Sequence, residues 1–294
     1  LVYDPFIEFK ENERLNKFTS VSNLGNRCNK NEQVFCEPAK GGNQEIWIFG
    51  GSTVFGYGLK NDETISSHLQ KQFNNKLKII NFGTGFYNST QQRILFLNLL
   101  SKLENPKAVI FIDGFNDFYN LNNDQSHISP FIKYKLNKTS TDDVIDYLKE
   151  RVLKLNIFKL INERIDIQKK SESFIQKNLK VEKSVEIYSN NQKIVKLVAD
   201  ANNIQIIYIL QPAPIFENSY SSSKVPKEFQ KNLEKDQDIN NVKSGYENYL
   251  EKKLDFVINL SDLKINGPMY IDGVHYSSEF NLAISKILYE NLIK

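Results

Sequence analysis

The sequence predicts an α/β protein: a mainly parallel five-stranded sheet covered by helices on both faces. Two features carry that expectation. Apolar runs of strand length alternate with segments of helical period. The runs at 46–49 and 108–112 also hold no polar residue, as strands buried on both faces require.

The first run, Ile46-Trp47-Ile48-Phe49, gives way to Gly50-Gly51-Ser52-Thr53. The second covers 76–81 and ends in Phe82-Gly83-Thr84-Gly85. The third spans 108–112 and continues into Asp113-Gly114-Phe115-Asn116-Asp117. A fourth covers 204–210, closed by Gln211-Pro212, and a fifth covers 256–260. Between them, one helix is expected from near Asp62, a good N-cap, with Ile65, Leu69 and Phe73 on one face. The next opens with Ser89-Thr90-Gln91-Gln92 at capping-box spacing and continues through Ile94, Leu95, Leu99 and Leu103. Another covers 185–201, and a last one follows Ser278 with Ile284, Leu288 and Leu292 aligned.

The alternation occupies residues 44–294, preceded by an extension at 1–43. Two stretches, about 118–182 and about 214–242, are too long for ordinary connections and are expected as insertions. The first carries the amphipathic set Val144, Tyr147, Leu148, Val152 and Leu155, which reads as inserted helices. Both follow strand ends, so a lid or substrate-binding role suits them as well as plain surface decoration.

The 294 residues are 40% hydrophobic and 25% charged, with a net charge of +3. That is enough for one large domain, and the near-neutral balance gives no basis for binding nucleic acid. No apolar run approaches the roughly 20 residues that cross a bilayer. Leu1 is not an initiator methionine, which leaves room for a membrane tether or a removed leader upstream. Cys28 and Cys36 lie in a polar segment without C-x-x-C spacing or nearby histidines, so no metal or redox motif is expected there. They are either a local disulfide, which implies an oxidising compartment, or two free thiols of a cytosolic protein.

Residues able to carry chemistry follow the strand ends. Ser52 is a nucleophile, a helix cap or a turn residue. Asp272-Gly273-Val274-His275 can place a carboxylate and an imidazole on one short loop. The aspartate would hold one ring nitrogen while the other serves a serine, which needs such a base to attack. Asn116 could donate to an oxyanion, and Gly83 and Gly85 could expose backbone N–H groups; each is equally at home in a tight turn. In a parallel sheet all these strand ends open on one edge.

In this order and context the blocks resemble the SGNH (GDSL-type) serine hydrolases. The family's G-D-S-x compares with Gly50-Gly51-Ser52-Thr53, where Gly51 replaces the aspartate. Its G-x-N-D is matched by residues 114–117 and its D-x-x-H by residues 272–275. Its N-x-G-x-x-G compares with residues 81–86, where Phe86 stands at the last glycine. The resemblance covers about 45–294 apart from the insertions.

It implies a three-layer α/β/α sandwich of flavodoxin-like type. Ser52 would be the nucleophile, His275 the general base and acid, and Asp272 the residue that orients His275. The oxyanion hole would comprise the Ser52 N–H, the Asn116 amide and a second-block N–H from Gly85, or alternatively from Gly83 or Phe86. No metal or cofactor is implied. The reaction would be removal of a small acyl group, such as acetyl, from a carbohydrate or another hydroxylated substrate. Acyl transfer to a polysaccharide by the same triad, or a non-catalytic binding module, are the alternatives. Nucleotide binding is a poorer fit, because Gly50-Gly51-Ser52-Thr53 lacks the lysine and glycine pattern of a P-loop.

Of the aromatic residues around the blocks, Phe86, Phe115 and Tyr276 are candidate substrate contacts, with ordinary packing as the rival reading. His68 and His127 are expected to be structural or solvated. Tyr3-Asp4-Pro5-Phe6 and Gly25-Asn26-Arg27 look like the region before the hydrolase domain in membrane-tethered or exported relatives. An extracytoplasmic location is therefore expected, with the cytoplasm as the alternative.

Overall fold

A computed structural model describes residues 1–4, 6–29, 36, 38, 44–119, 156–214 and 237–294, and within these the side chains of 156–178 and 237–238 are left aside. His127, the amphipathic set from Val144 to Leu155 and most of the second expected insertion lie outside the described residues.

The chain opens with an antiparallel pair, β1 (Val2–Asp4) and β2 (Glu8–Lys10). The elements that follow are β3 (Glu45–Gly50), α1 (Ser52–Phe55), α2 (Ile65–Gln72), β4 (Lys78–Asn81) and α3 (Ser89–Leu100). Next come β5 (Ala108–Asp113), α4 (Phe115–Tyr119), α5 (Asn156–Ala201) and β6 (Gln205–Leu210). The chain ends with α6 (Gln237–Leu250), β7 (Val257–Asn259) and α7 (Ser278–Leu292). Five strands form one parallel sheet in the order β4-β3-β5-β6-β7.

Strand alternation sorts the core into two layers. Ile46, Ile48, Ala108, Ile110, Ile112, Ile207 and Ile209 pack with Ile65 and Leu69 of α2 and Phe280, Ile284 and Leu288 of α7. On the other face Trp47, Phe49, Val109, Phe111 and Tyr208 pack with Phe96 and Leu99 of α3 and Val195 and Ala199 of α5. The molecule is thus an α/β/α sandwich. The chain leaves β3 for β4 on one side and returns to β5 on the other. The switch point, where open sheets hold ligands, therefore lies between β3 and β5.

Several boundaries differ from those expected. The helix expected at Asp62 starts at Ile65, because the Thr64 hydroxyl takes the capping bond from Ser67 N while Asp62 sits in a preceding 3₁₀ turn. The capping box at α3 uses Asn88 and Gln91, one residue earlier than expected. One continuous helix runs from Asn156 to Ala201, across the expected insertion boundary at 182. Likewise α6 begins inside the stretch assigned to the second insertion. Its Ile239, Val242 and Tyr246 share a core with Phe115 and Phe118 of α4 and Val185 and Tyr188 of α5.

The N-terminal segment runs along the outer edge of β4. Arg27 N donates to Asn81 O at 2.8 Å, and Asn29 Nδ2 donates to Ile79 O at 2.6 Å, which covers an edge that would otherwise be open. Cys28 and Cys36 form a disulfide. Arg27 is 1% exposed. Its guanidinium donates to Asn61 Oδ1 and to the carbonyls of Phe18, Phe55, Gly56 and Leu59, and lies 4.9 Å from the centre of the Phe55 ring. Burial and the nearby Arg14 lower its pKa to about 10. Arg27→Met would leave these acceptors buried without a donor. It should lower the unfolding free energy in a urea titration by about 3 kcal/mol or more; a loss below about 1 kcal/mol would show that the guanidinium does not hold this segment.

Candidate active site

Ser52 is half-buried at the first position of α1, immediately beyond the carboxyl end of β3. Gly51 is the extended N-cap, and its carbonyl accepts from Phe55 N at 3.0 Å. The Ser52 carbonyl accepts from Gly56 N and Tyr57 N, at 2.9 and 3.2 Å, which closes the turn that follows. The serine thus stands on a tight strand-to-helix connection closed by backbone bonds and braced by side-chain donors, Asn81 Nδ2 to Val54 O and the Arg27 guanidinium to the Phe55 and Gly56 carbonyls.

Across the switch point, Asn116 lies in α4 just beyond β5, and its Nδ2 donates to Tyr87 O at 2.8 Å. A Cβ on Gly51 would come within 2.6 Å of that Nδ2. Glycine at 51 thus leaves open the space that the Asn116 amide occupies. Asp117 is buried and accepts from both the N–H and the hydroxyl of Ser89; burial pushes its pKa up to about 6. Asp113, buried beside it and bonded by the Tyr188 hydroxyl, is also pushed well up by burial and by Asp117. The sequence places both acids beside Asn116 but carries no sign of their burial or of their bonds to Ser89 and Tyr188.

In the second-block loop, Gly83 N donates to Asn81 Oδ1, Thr84 N to Gly50 O and Tyr87 N to Thr84 O. Gly83 is therefore a poor oxyanion donor, which leaves Gly85 and Phe86 as the candidates. A Cβ on Gly85 would meet the Tyr57 hydroxyl at 2.2 Å, so only glycine fits. Phe86 has φ +67° and is 70% exposed. The left-handed backbone suited to glycine is thus present at the position where the family pattern has one, although the residue is phenylalanine.

Asp272 and His275 form one compact loop ahead of α7. Asp272 Oδ1 accepts from Val274 N and His275 N at 2.9 and 2.8 Å, and Oδ2 lies 2.6 Å from His275 Nδ1. Burial opposes ionisation of Asp272, but the bonds from His275 and from the two backbone N–H groups outweigh it and hold the carboxyl down at about 2. Ile271 N donates to His275 O, and Tyr270 and Tyr276 bridge across the loop. The remaining ring nitrogen, His275 Nε2, is buried and has no hydrogen-bond partner.

Two contacts bring this loop to the serine. The Thr53 side chain, next to Ser52, lies close enough to the phenol of Tyr276, next to His275, to ease its ionisation against the effect of burial. The Tyr57 ring lies 5.7 Å from the His275 ring, centre to centre. A direct Ser52–His275 hydrogen bond is not formed. Tyr276 is 1% exposed, donates to Pro212 O at 2.7 Å and packs on Tyr270 and Phe280, so its ring is part of the core. Phe115 is buried and stacks on Tyr119, whereas Phe86 faces solvent. His68 Nε2 bonds Ser278 Oγ at 3.1 Å and ties α2 to α7. Among the described residues, no group of three His, Cys, Asp or Glu side chains could hold a metal ion.

No family model matches the chain, and no curated protein matches it by sequence. Solved structures do match. A carbohydrate acetylesterase from Sinorhizobium meliloti aligns at 10% identity over 85% of this chain and 99% of its own, with a TM-score of 0.45. A psychrotrophic esterase from Pseudoalteromonas sp. aligns at 14% identity over 85% and 97%, with a TM-score of 0.42. A member of the lipolytic protein G-D-S-L family from Veillonella parvula aligns at 12% over 83% and 96%, with a TM-score of 0.39.

Asp272 is held below its unfolded value, so the stability it contributes is complete above about pH 4 and is lost as pH falls towards 2. The melting-temperature gap between the wild type and Asp272→Asn should be steady from neutral pH down to about pH 5 and close below it; a gap that persists at pH 2 would contradict the ionised pairing. Phe86→Gly should be more stable than Phe86→Ala by about 1 kcal/mol in urea, because only glycine relieves the left-handed backbone. Equal stabilities would show that the backbone relaxes there.

Proposed function

We propose that the chain is a serine esterase of the SGNH type, acting on a small acyl ester such as an acetylated carbohydrate. The observation that carries this reading is the Asp272–His275 pair. Its free Nε2 is buried, and the ring 5.7 Å from the imidazole is that of Tyr57, whose backbone N–H donates to the Ser52 carbonyl.

In this reading the Ser52 Oγ attacks the ester carbonyl carbon while His275 Nε2 takes the hydroxyl proton. Ionised Asp272 keeps the other proton on Nδ1 and stabilises the imidazolium. The negative oxygen of the tetrahedral intermediate is met by the Ser52 N–H, the Asn116 amide and the Gly85 or Phe86 N–H. Collapse breaks the bond to the alcohol, which leaves with the proton from His275. Water then repeats the sequence on the acyl-serine, releasing the acid and restoring Ser52. The Ser52–His275 bond would form as substrate enters, as catalytic hydrogen bonds often tighten only in the complex. Exposed Phe86, beside the oxyanion loop, suits stacking on a sugar ring. The Cys28–Cys36 disulfide supports an oxidising, extracytoplasmic setting.

The test is labelling with a fluorophosphonate, followed by peptide mapping. The adduct is expected on Ser52 and should be absent from Ser52→Ala and nearly absent from His275→Ala. Well-folded wild type that takes no label would overturn the reading in favour of a binding module.

A further inference from the structure

Tyr57 makes contact with three separate parts of the site. Its backbone N–H closes the turn on the Ser52 carbonyl. Its ring lies 5.7 Å from that of His275 and 4.9 Å, edge-on, from that of Phe55. Its hydroxyl lies so close to the Gly85 backbone that a Cβ there would be 2.2 Å away. The same hydroxyl donates to Glu11 Oε1 at 2.5 Å.

Glu11 belongs to the N-terminal segment and is only 3% exposed. Its other oxygen lies 3.4 Å from Arg14 Nη1. A carboxylate buried this deeply is a costly way to add stability, since a well-packed apolar pair commonly does as well. What it supplies instead is direction. The phenol has one proton to donate, and a fixed charged acceptor sets where the hydroxyl, and with it the ring, must lie.

We infer that Tyr57 is a positioning residue for the esterase site: oriented by Glu11, it sets both the His275 ring and the Gly85–Phe86 backbone. The inference rests on the proposed esterase reading. It makes the N-terminal segment a working part of the catalytic centre. A ring that rotated away would loosen the histidine and the oxyanion donors together, while leaving Ser52, Asp272 and His275 all present.

The experiment compares full-length Tyr57→Phe, Glu11→Ala, Glu11→Gln and the Tyr57→Phe/Glu11→Ala double variant. Fluorophosphonate labelling rate, kcat and KM for p-nitrophenyl acetate, and melting temperature are measured for each. Tyr57→Phe and Glu11→Ala should each lower kcat and the labelling rate by about tenfold with KM changed less than about twofold, and the double variant should be no worse than either. Glu11→Gln keeps an acceptor for the hydroxyl and should lose less than about threefold. A Tyr57→Phe protein that labels and turns over within about twofold of wild type overturns the inference, as does a Glu11→Gln loss equal to that of Glu11→Ala. If Tyr57→Phe does not fold, the two Glu11 variants decide. Unlabelled wild type overturns the esterase reading itself, an outcome distinct from labelled wild type with indifferent variants.

Discussion

The parallel pairing of β3 with β5 constrains everything else at the site. Their register sets Phe49 opposite Phe111 and Gly50 opposite Ile112, so both strands end at the same level. Ser52 and Asn116 then emerge side by side from neighbouring turns at the point where the strand order reverses. The two turns touch through the absence of a side chain, since a Cβ on Gly51 would meet the Asn116 amide. A shift of one residue in this register would exchange the two faces of the strand and bring Phe111 into the isoleucine-rich layer. Two cores of different shape, one rich in isoleucine and one in stacked aromatics, oppose that shift.

Around this edge the fold buries more ionisable side chains than a core of this kind needs. Arg27, Glu11, Asp113 and Asp117 are each at most 6% exposed. Each is held by named donors or acceptors: Arg27 by carbonyls, Glu11 by Tyr57 and Arg14, Asp117 by Ser89, and Asp113 by Tyr188. Such networks fix geometry at some cost in stability, which suits a region that must hold loops from four parts of the chain in one arrangement.

Much of this was legible in the sequence, for physical reasons. Strands buried on both faces have to be apolar throughout, so residues 46–49 and 108–112 declared themselves. The D-x-x-H loop is local, and three residues suffice to bring Asp272 to His275. Helix starts were less legible, because Asp62 and Thr64 are both good caps and only the fold decides that the Thr64 hydroxyl is the acceptor for Ser67 N. The long α5 was read as an insertion up to 182 and a separate helix from 185, whereas Val181, Val185 and Tyr188 share one core across that boundary. Least legible were contacts distant along the chain. Glu11 and Tyr57 are 46 residues apart and carry no motif, and the left-handed backbone of Phe86 is hidden by a residue type that rarely adopts it.

The proposed esterase reading requires Ser52 and His275 to act as one catalytic unit although they arrive from opposite ends of the sheet-forming chain. A double-mutant cycle on ester hydrolysis measures this directly, using Ser52→Ala, His275→Ala and the double variant. Residues that act as a unit are strongly non-additive. Each single variant is expected to lose nearly all turnover, with the double no slower than either. Losses that multiply in the double variant, or a single variant close to wild type, would contradict it.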